Sequence, residues 1–238
     1  MAQHGSLLHL PKNLKYLQHS CPICIKIKMP RLSRNPKLSL SKLAPGQMLQ
    51  MDFAFMNTQS VCGSTSYLLC VCVSTKYCFK FCTCYKRVPV DIIKWVLNTF
   101  KSQKKTTNYV RFDEGGELAR SYEVNKILIE ECGIIMQSTG DYASNLNGIV
   151  ERGHRTDGDV IRASLYAADL PDSFWCYSLM YANHINRRWC VYPETTTPYE
   201  LWTKQKPSFN KFHIFGATVY AHNHMNKCLI IRLLLDCF

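Results

Sequence analysis

No Asp or Glu occurs in the first 51 residues, although that stretch carries eight Lys or Arg (Lys12, Lys15, Lys26, Lys28, Arg31, Arg34, Lys37 and Lys42). Charge of one sign cannot neutralise itself, so the arm reads as an electrostatic footprint for a polyanion. All 17 acids lie beyond it, and 29 Lys and Arg leave the chain at +12. Long apolar runs are missing too: none approaches the roughly 18 residues a membrane span requires, and the longest candidate, 228–238, is broken by Arg232 and Asp236. No membrane partner is expected. Nothing resembles a secretory leader, and the cysteines number 13, an odd count. Cys70, Cys72, Cys78 and Cys82 sit in apolar strand-like runs and read as small buried hydrophobes in a reducing compartment, so the expected location is intracellular, nucleus and cytoplasm.

What is present suffices for a core. A hydrophobic fraction of 47%, with 12% aromatic residues, over 238 residues excludes a wholly disordered chain. Residues 1–29 hold His4, His9 and the pair Cys21 and Cys24, a candidate tetrahedral Zn²⁺ set, with His19 competing for the role. The alternative is a truncated element that holds no metal, and spacing leaves both open. Residues 30–46, with Pro30, Pro36 and Pro45 among basic residues, read as an extended linker that also offers phosphate contacts.

From Met48 the pattern turns β-like, with an acid, Asp52, flanked by Met51 and Phe53. Two β-rich runs, Tyr67 to Ser74 and Tyr77 to Tyr85, are separated by only Thr75 and Lys76, which predicts a hairpin. Ile92, Ile93, Val96, Leu97 and Phe100 then mark an amphipathic helix opened by Pro89. Tyr109 to Phe112 predicts a strand ending in Asp113 before Gly115 and Gly116. Taken alone, Asp113 reads equally as a cap on the next helix. Val124, Ile127 and Leu128 predict that helix, and Ile134 to Gln137 a further strand. Beyond a polar loop, a helix from Asn147 puts Ile149, Val160, Ala163 and Ala167 on one apolar face, with Glu151, Arg155, Gly158 and Arg162 along another. The plain alternative for that stripe is a solvated face with a Glu–Arg pair of about 0.2–0.5 kcal/mol. An aromatic helix from Pro171 to Arg188 carries His184, read as structural. The expected fold is α/β, a mixed five-stranded sheet flanked by helices, with a small N-terminal His/Cys element.

Asp52, Asp113 and Glu151 come from a first strand, a later strand and a helix, with residues 114–150, 37 in all, between the last two. In a sheet whose first and fourth strands are neighbours, the three would converge. Clustered carboxylates repel, and divalent cations bound through hard oxygens, Mg²⁺ or Mn²⁺, relieve the repulsion. Two such ions about 3.5–4 Å apart serve phosphoryl transfer.

With these motifs the sequence resembles the integrases of copia-type long-terminal-repeat retrotransposons, whose ribonuclease-H-like core carries two Asp and a Glu at this spacing. The matching segments are Gln50-Met51-Asp52-Phe53, Asp113-Glu114-Gly115-Gly116-Glu117 and Asn147 to Arg155, followed by Thr197 to Trp202 and Phe212 to Ala217. The resemblance spans about residues 9–222. It implies a pre-integrase His/Cys element over 1–29, a basic linker over 30–46, a catalytic core over 47–190, a post-core segment over 191–222 and a non-family tail over 223–238. It further implies Asp52, Asp113 and Glu151 as ligands of Mg²⁺ or Mn²⁺. The candidate Zn²⁺ set is still His4, His9, Cys21 and Cys24, against a truncated element that holds no metal. It places His154 and Arg155 near the DNA end, while Arg162, Lys26, Lys28, Arg31 and Arg34 are expected at DNA from their charge; the implied partners are element-end and target DNA and further copies of the chain. The implied activity is polynucleotidyl transfer: trimming of a DNA 3′ end and its joining to target DNA. Glu114 stands where the family usually has Asn. The alternatives are a catalytically inactive nucleic-acid-binding remnant of a retrotransposon polyprotein, and a nuclease of the same fold acting on RNA–DNA hybrids.

Overall fold

The structure, a computed structural model of the chain, describes residues 43–84, 90–113, 117–139, 148–189, 195–210, 212–222 and 228–232. Five strands form one sheet: β1 (Met48–Phe55), β2 (Ser66–Cys72), β3 (Cys78–Thr83), β4 (Tyr109–Asp113) and β5 (Ile135–Thr139), in the order β3-β2-β1-β4-β5. The first three pair antiparallel as a meander, whereas β1 with β4 and β4 with β5 are parallel. The expected hairpin turns where Lys76 takes φ 62°. The parallel pairs need crossovers: α1 (Val90–Ser102) lies between β3 and β4 in the chain. Between β4 and β5 come α2 (Glu117–Arg120) and α3 (Tyr122–Asn125), the latter continuing as a π-helical turn over Lys126–Glu131. Ser121 caps α3, and the wide turn is closed by Cys132 N–H on the carbonyl of Ile127 at 3.0 Å.

A central strand covered on both faces has no reason to alternate, and Met48, Leu49, Gln50 and Met51 are all buried. Leu49 and Met51, with Leu68, Cys70, Val110 and Phe112, pack against Ile93, Val96, Leu97 and Phe100 of α1 and Val124 and Leu128 of the α3 segment. The other face carries Tyr67, Leu69 and Val71. It packs against Val150, Ile161 and Leu165 of α4 (Gly148–Ala168) and Trp175, Cys176 and Leu179 of α5 (Trp175–Arg188). Each large side chain withdrawn from water contributes about 1.5–3 kcal/mol, so both helix layers are needed to stabilise the strand between them. Cys70, Cys72 and Cys78 are buried within these layers, Cys72 accepting the Gly46 N–H at 3.3 Å, and Cys82 is half-buried.

The segment beyond α5 does not stand apart. Thr197 caps α6 (Pro198–Thr203), whose Trp202 stacks on Tyr77 at 5.0 Å and meets the tilted ring of Phe100 at 4.6 Å. Its indole N–H donates to Gln103 Oε1 at 2.7 Å. Further on, β6 (Thr218–His222) pairs antiparallel with β7 (Cys228–Arg232), giving the Ile/Leu-rich end a partner that its composition alone does not reveal. Trp202→Ala should cost about 3–5 kcal/mol in guanidinium unfolding. A loss under about 1 kcal/mol would make α6 an appendage.

Candidate active site

The register between β1 and β4 runs Met48↔Tyr109, Leu49↔Val110 and Gln50↔Arg111. Followed two residues further, the same offset brings Asp52 level with Asp113, each the fifth residue of its strand. Asp113 is also paired with Thr139 of β5. One step below, Gln50, Arg111 and Gln137 form a polar row across the three strands, with Arg111 donating to Gln137 Oε1 at 2.9 Å. Burial holds the Arg111 guanidinium below its ordinary pKa.

Asp52 lies on the face covered by α4, with its side chain 31% exposed. Its Oδ1 accepts the N–H of Phe53 at 2.9 Å, and its Oδ2 stands 3.5 Å from His154 Nε2. The His154 ring is fixed from behind by Tyr67, whose hydroxyl lies 3.1 Å from Nδ1. Burial foremost, then the charges of Asp157 and Asp52, push the Tyr67 phenol far up, so it stays a neutral O–H. With Tyr67 donating to Nδ1, Nε2 faces the carboxylate at 3.5 Å, close enough for charge but without a hydrogen bond among the described residues.

Gly153 lets α4 come this close. A Cβ there would fall 2.7 Å from Leu69 Cδ2 on β2, so any larger residue would have to displace the buried Leu69 side chain at the residue before His154. The buried face of α4 is therefore not the expected one. Val150, Asp157, Ile161 and Leu165 are buried, whereas Val160 and Ala163 are only half-buried and Ala167 is exposed. The face turns because the close approach at Gly153 fixes the rotation of the helix, and an acid occupies a core position.

That acid, Asp157, is bound to Lys80 of β3 and accepts from Asn186 of α5 at 2.8 Å, while its Oδ2 has no hydrogen-bond partner among the described residues. Burial pushes the Asp157 carboxyl up, against the opposing pull of Lys80. The Lys80–Asp157 pair, Asn186 and Tyr67 are absent from the expected site residues. The signal was there: Lys80 is a lone charge in an apolar strand, and Asp157 shares four-residue steps with Ile161 and Leu165.

Glu151, in the first turn of α4, and Arg155 are exposed, and among the described residues neither makes an ion pair, so the Glu–Arg pairing does not form. Arg162 is exposed and donates to Asp159 at 2.6 Å. Among the described residues, no three His, Cys, Asp or Glu side chains stand close enough together to hold a metal. The Asp113 side chain, Glu114, His4, His9, Cys21, Cys24, Lys26, Lys28, Arg31 and Arg34 lie outside the described residues. Asp52 suits a hard divalent ion: it offers carboxylate oxygen, it is part-exposed, and no Lys or Arg pairs with it among the described residues.

The buried pair under α4 is directly testable. Lys80→Met should cost about 3–5 kcal/mol, because it strands the Asp157 charge. Adding Asp157→Asn, which keeps an acceptor for Asn186, should recover at least half of that loss in denaturant unfolding. A double variant no more stable than Lys80→Met would refute the coupling.

No family model matches the chain. Over 118 residues, 48% of its length, it is 33% identical to the retrovirus-related Pol polyprotein from transposon TNT 1-94 of Nicotiana tabacum, spanning 8% of that polyprotein. Among solved structures it is similar to the catalytic core domain of BIV integrase, at a TM-score of 0.50 and 18% identity over 67% of this chain and 95% of that one. The simian T-cell lymphotropic virus intasome, solved with PP2A regulatory subunit B56 gamma, matches at 0.56 and 16%, over 77% and 63%. The HTLV-2 integrase catalytic core domain in complex with magnesium, in its trimeric form, matches at 0.50 and 16%, over 68% and 99%. The chain thus has the integrase-core fold, and in sequence it is similar to a retrotransposon polyprotein.

Proposed function

We propose that the chain carries out divalent-metal-dependent DNA 3′-end processing and strand transfer, with Asp52, Asp113 and Glu151 as the metal-holding carboxylates. The observation that supports this most is the parallel register that sets Asp52 level with Asp113 at the centre of an integrase-like sheet. Glu151, in the first turn of the helix that also carries His154, supplies the third carboxylate. When bound, Mg²⁺ or Mn²⁺ would activate the attacking oxygen and offset charge on the leaving oxygen. The chain's own residues orient that centre. Phe53 N–H donates to the Asp52 carboxylate, His154 faces it at 3.5 Å, and Tyr67 fixes the imidazole.

Arg155 and Arg162, exposed on α4, and Lys26, Lys28, Arg31 and Arg34 of the acid-free arm are the proposed phosphate contacts for element-end and target DNA. His4, His9, Cys21 and Cys24 are the proposed Zn²⁺ ligands. Assembly with further copies of the chain, and residence in nucleus and cytoplasm, belong to the same reading.

A second reading, a nucleic-acid-binding remnant that has lost catalysis, is favoured by Glu114, an added acid directly after Asp113. One experiment separates the two: joining of a labelled oligonucleotide duplex into plasmid DNA with Mg²⁺ or Mn²⁺. Wild type should join, and Asp113→Asn should lower joining by several orders of magnitude while duplex binding persists or strengthens, since a negative charge near the phosphates is gone. Equal joining by both proteins would refute the catalytic assignment. Silence from wild type and Glu114→Asn alike, with binding retained, would establish the remnant.

A further inference from the structure

Two thiols away from the acids stand within reach of each other. Cys62 lies between β1 and β2, and Cys176 is the second residue of α5. The Cys176 thiol donates to Cys62 Sγ at 3.2 Å across 114 residues of sequence. Cys62 is exposed and Cys176 is buried. Two contacts clamp the backbones beside them: Val61 N–H donates to the Ser173 carbonyl at 2.8 Å, and Trp175 Nε1 donates to the Thr58 carbonyl at 2.8 Å. The residues immediately before both cysteines are thus tied across the same junction. Bonding at the usual 2.0 Å or so between sulfurs closes a gap of only about 1.2 Å from the 3.2 Å contact. Held in this way, the second thiol reacts intramolecularly, which favours ring closure over capture of a second small molecule.

We propose that Cys62 and Cys176 form a reversible thiol–disulfide couple that locks the turn after β1 to the start of α5, with an oxidised low-molecular-weight thiol such as glutathione disulfide as the oxidant. The Cys62 thiolate attacks one sulfur of the oxidant, gives a mixed disulfide and releases one reduced thiol. Cys176, losing its proton to solvent, then attacks the Cys62 sulfur and expels the second. Two protein thiols are oxidised to one disulfide, and the oxidant's disulfide is reduced to two thiols. Cys82 and Cys84 of the neighbouring strand end are the competing groups. Burial pushes the Cys82 thiol up to about 12 and raises the Cys176 thiol as well, so it is the 3.2 Å contact with Cys62, and not acidity, that selects Cys176 as the resolving thiol. The lock acts on β1, the strand that bears Asp52, and leaves the acids themselves untouched.

The test uses the full 238-residue chain, reduced, desalted and incubated with glutathione disulfide, then digested without reductant for mass spectrometry. The expected product is a Cys62–Cys176 linked peptide, lighter by two hydrogens than its two parts and cleaved by dithiothreitol. The oxidised chain should unfold about 5–10 °C higher than the reduced one. Cys62→Ser, at an exposed site, should fold normally and lose both the linked peptide and the shift. Accumulation of glutathione on Cys62 with Cys176 free, joining of Cys62 to Cys82 or Cys84, or an undiminished shift in Cys62→Ser would each overturn the proposal.

Discussion

Parallel hydrogen bonding between β1 and β4 is the contact on which the rest of the architecture depends. Parallel neighbours cannot be joined by a tight turn, so the chain must cross over, and the crossing helix covers one face of the sheet. The other face is closed by α4 and α5, and the strands between become buried on both sides. The register also sets where Asp52 stands. A slip of one residue would carry Asp52 to the face of Met51 and Phe53, into apolar packing with α1, where an unpaired carboxylate is costly. The apolar residues of β1 thus fix the position of its acid.

Two polar devices hold α4 on the sheet. At one, Gly153 admits Leu69, and His154 enters between Tyr67 and Asp52. At the other, one turn further on, Lys80 and Asp157 meet in the interior with Asn186. A buried ion pair contributes little net stability, because desolvation offsets the attraction, but it penalises every arrangement that separates the partners. Here the partners come from the sheet edge and from α4, so the pair selects one rotation of the helix. That rotation fixes where His154 and Glu151 stand.

Much of this was legible in the sequence. The strand Met48–Phe55 follows from its β-formers, the hairpin from the two residues between its strands, and the strand ending in Asp113 from its aromatics and the glycines beyond. The helix through Val124, Ile127 and Leu128 and its buried side chains follow from periodicity, whereas its break at Ser121 and its π turn leave no mark in that pattern. The apolar face of α4 was misassigned because periodicity ranks side chains by hydrophobicity, and Asp157 is buried for a reason supplied by Lys80, 77 residues away. Tyr67 was not legible for the same reason: its role depends on His154, 87 residues away, and nothing local announces that contact. The closeness of Cys62 and Cys176 is purely tertiary.

The central claim is that Asp52 and Asp113, level on neighbouring strands, share divalent ions with Glu151. Crystals soaked in Mn²⁺ and measured by anomalous diffraction test it most directly. The account predicts anomalous peaks within about 2.3 Å of carboxylate oxygens of both Asp52 and Asp113, which Asp52→Asn abolishes. Peaks confined to other sites, or none at saturating Mn²⁺ with Asp52 still turned to His154, would contradict it.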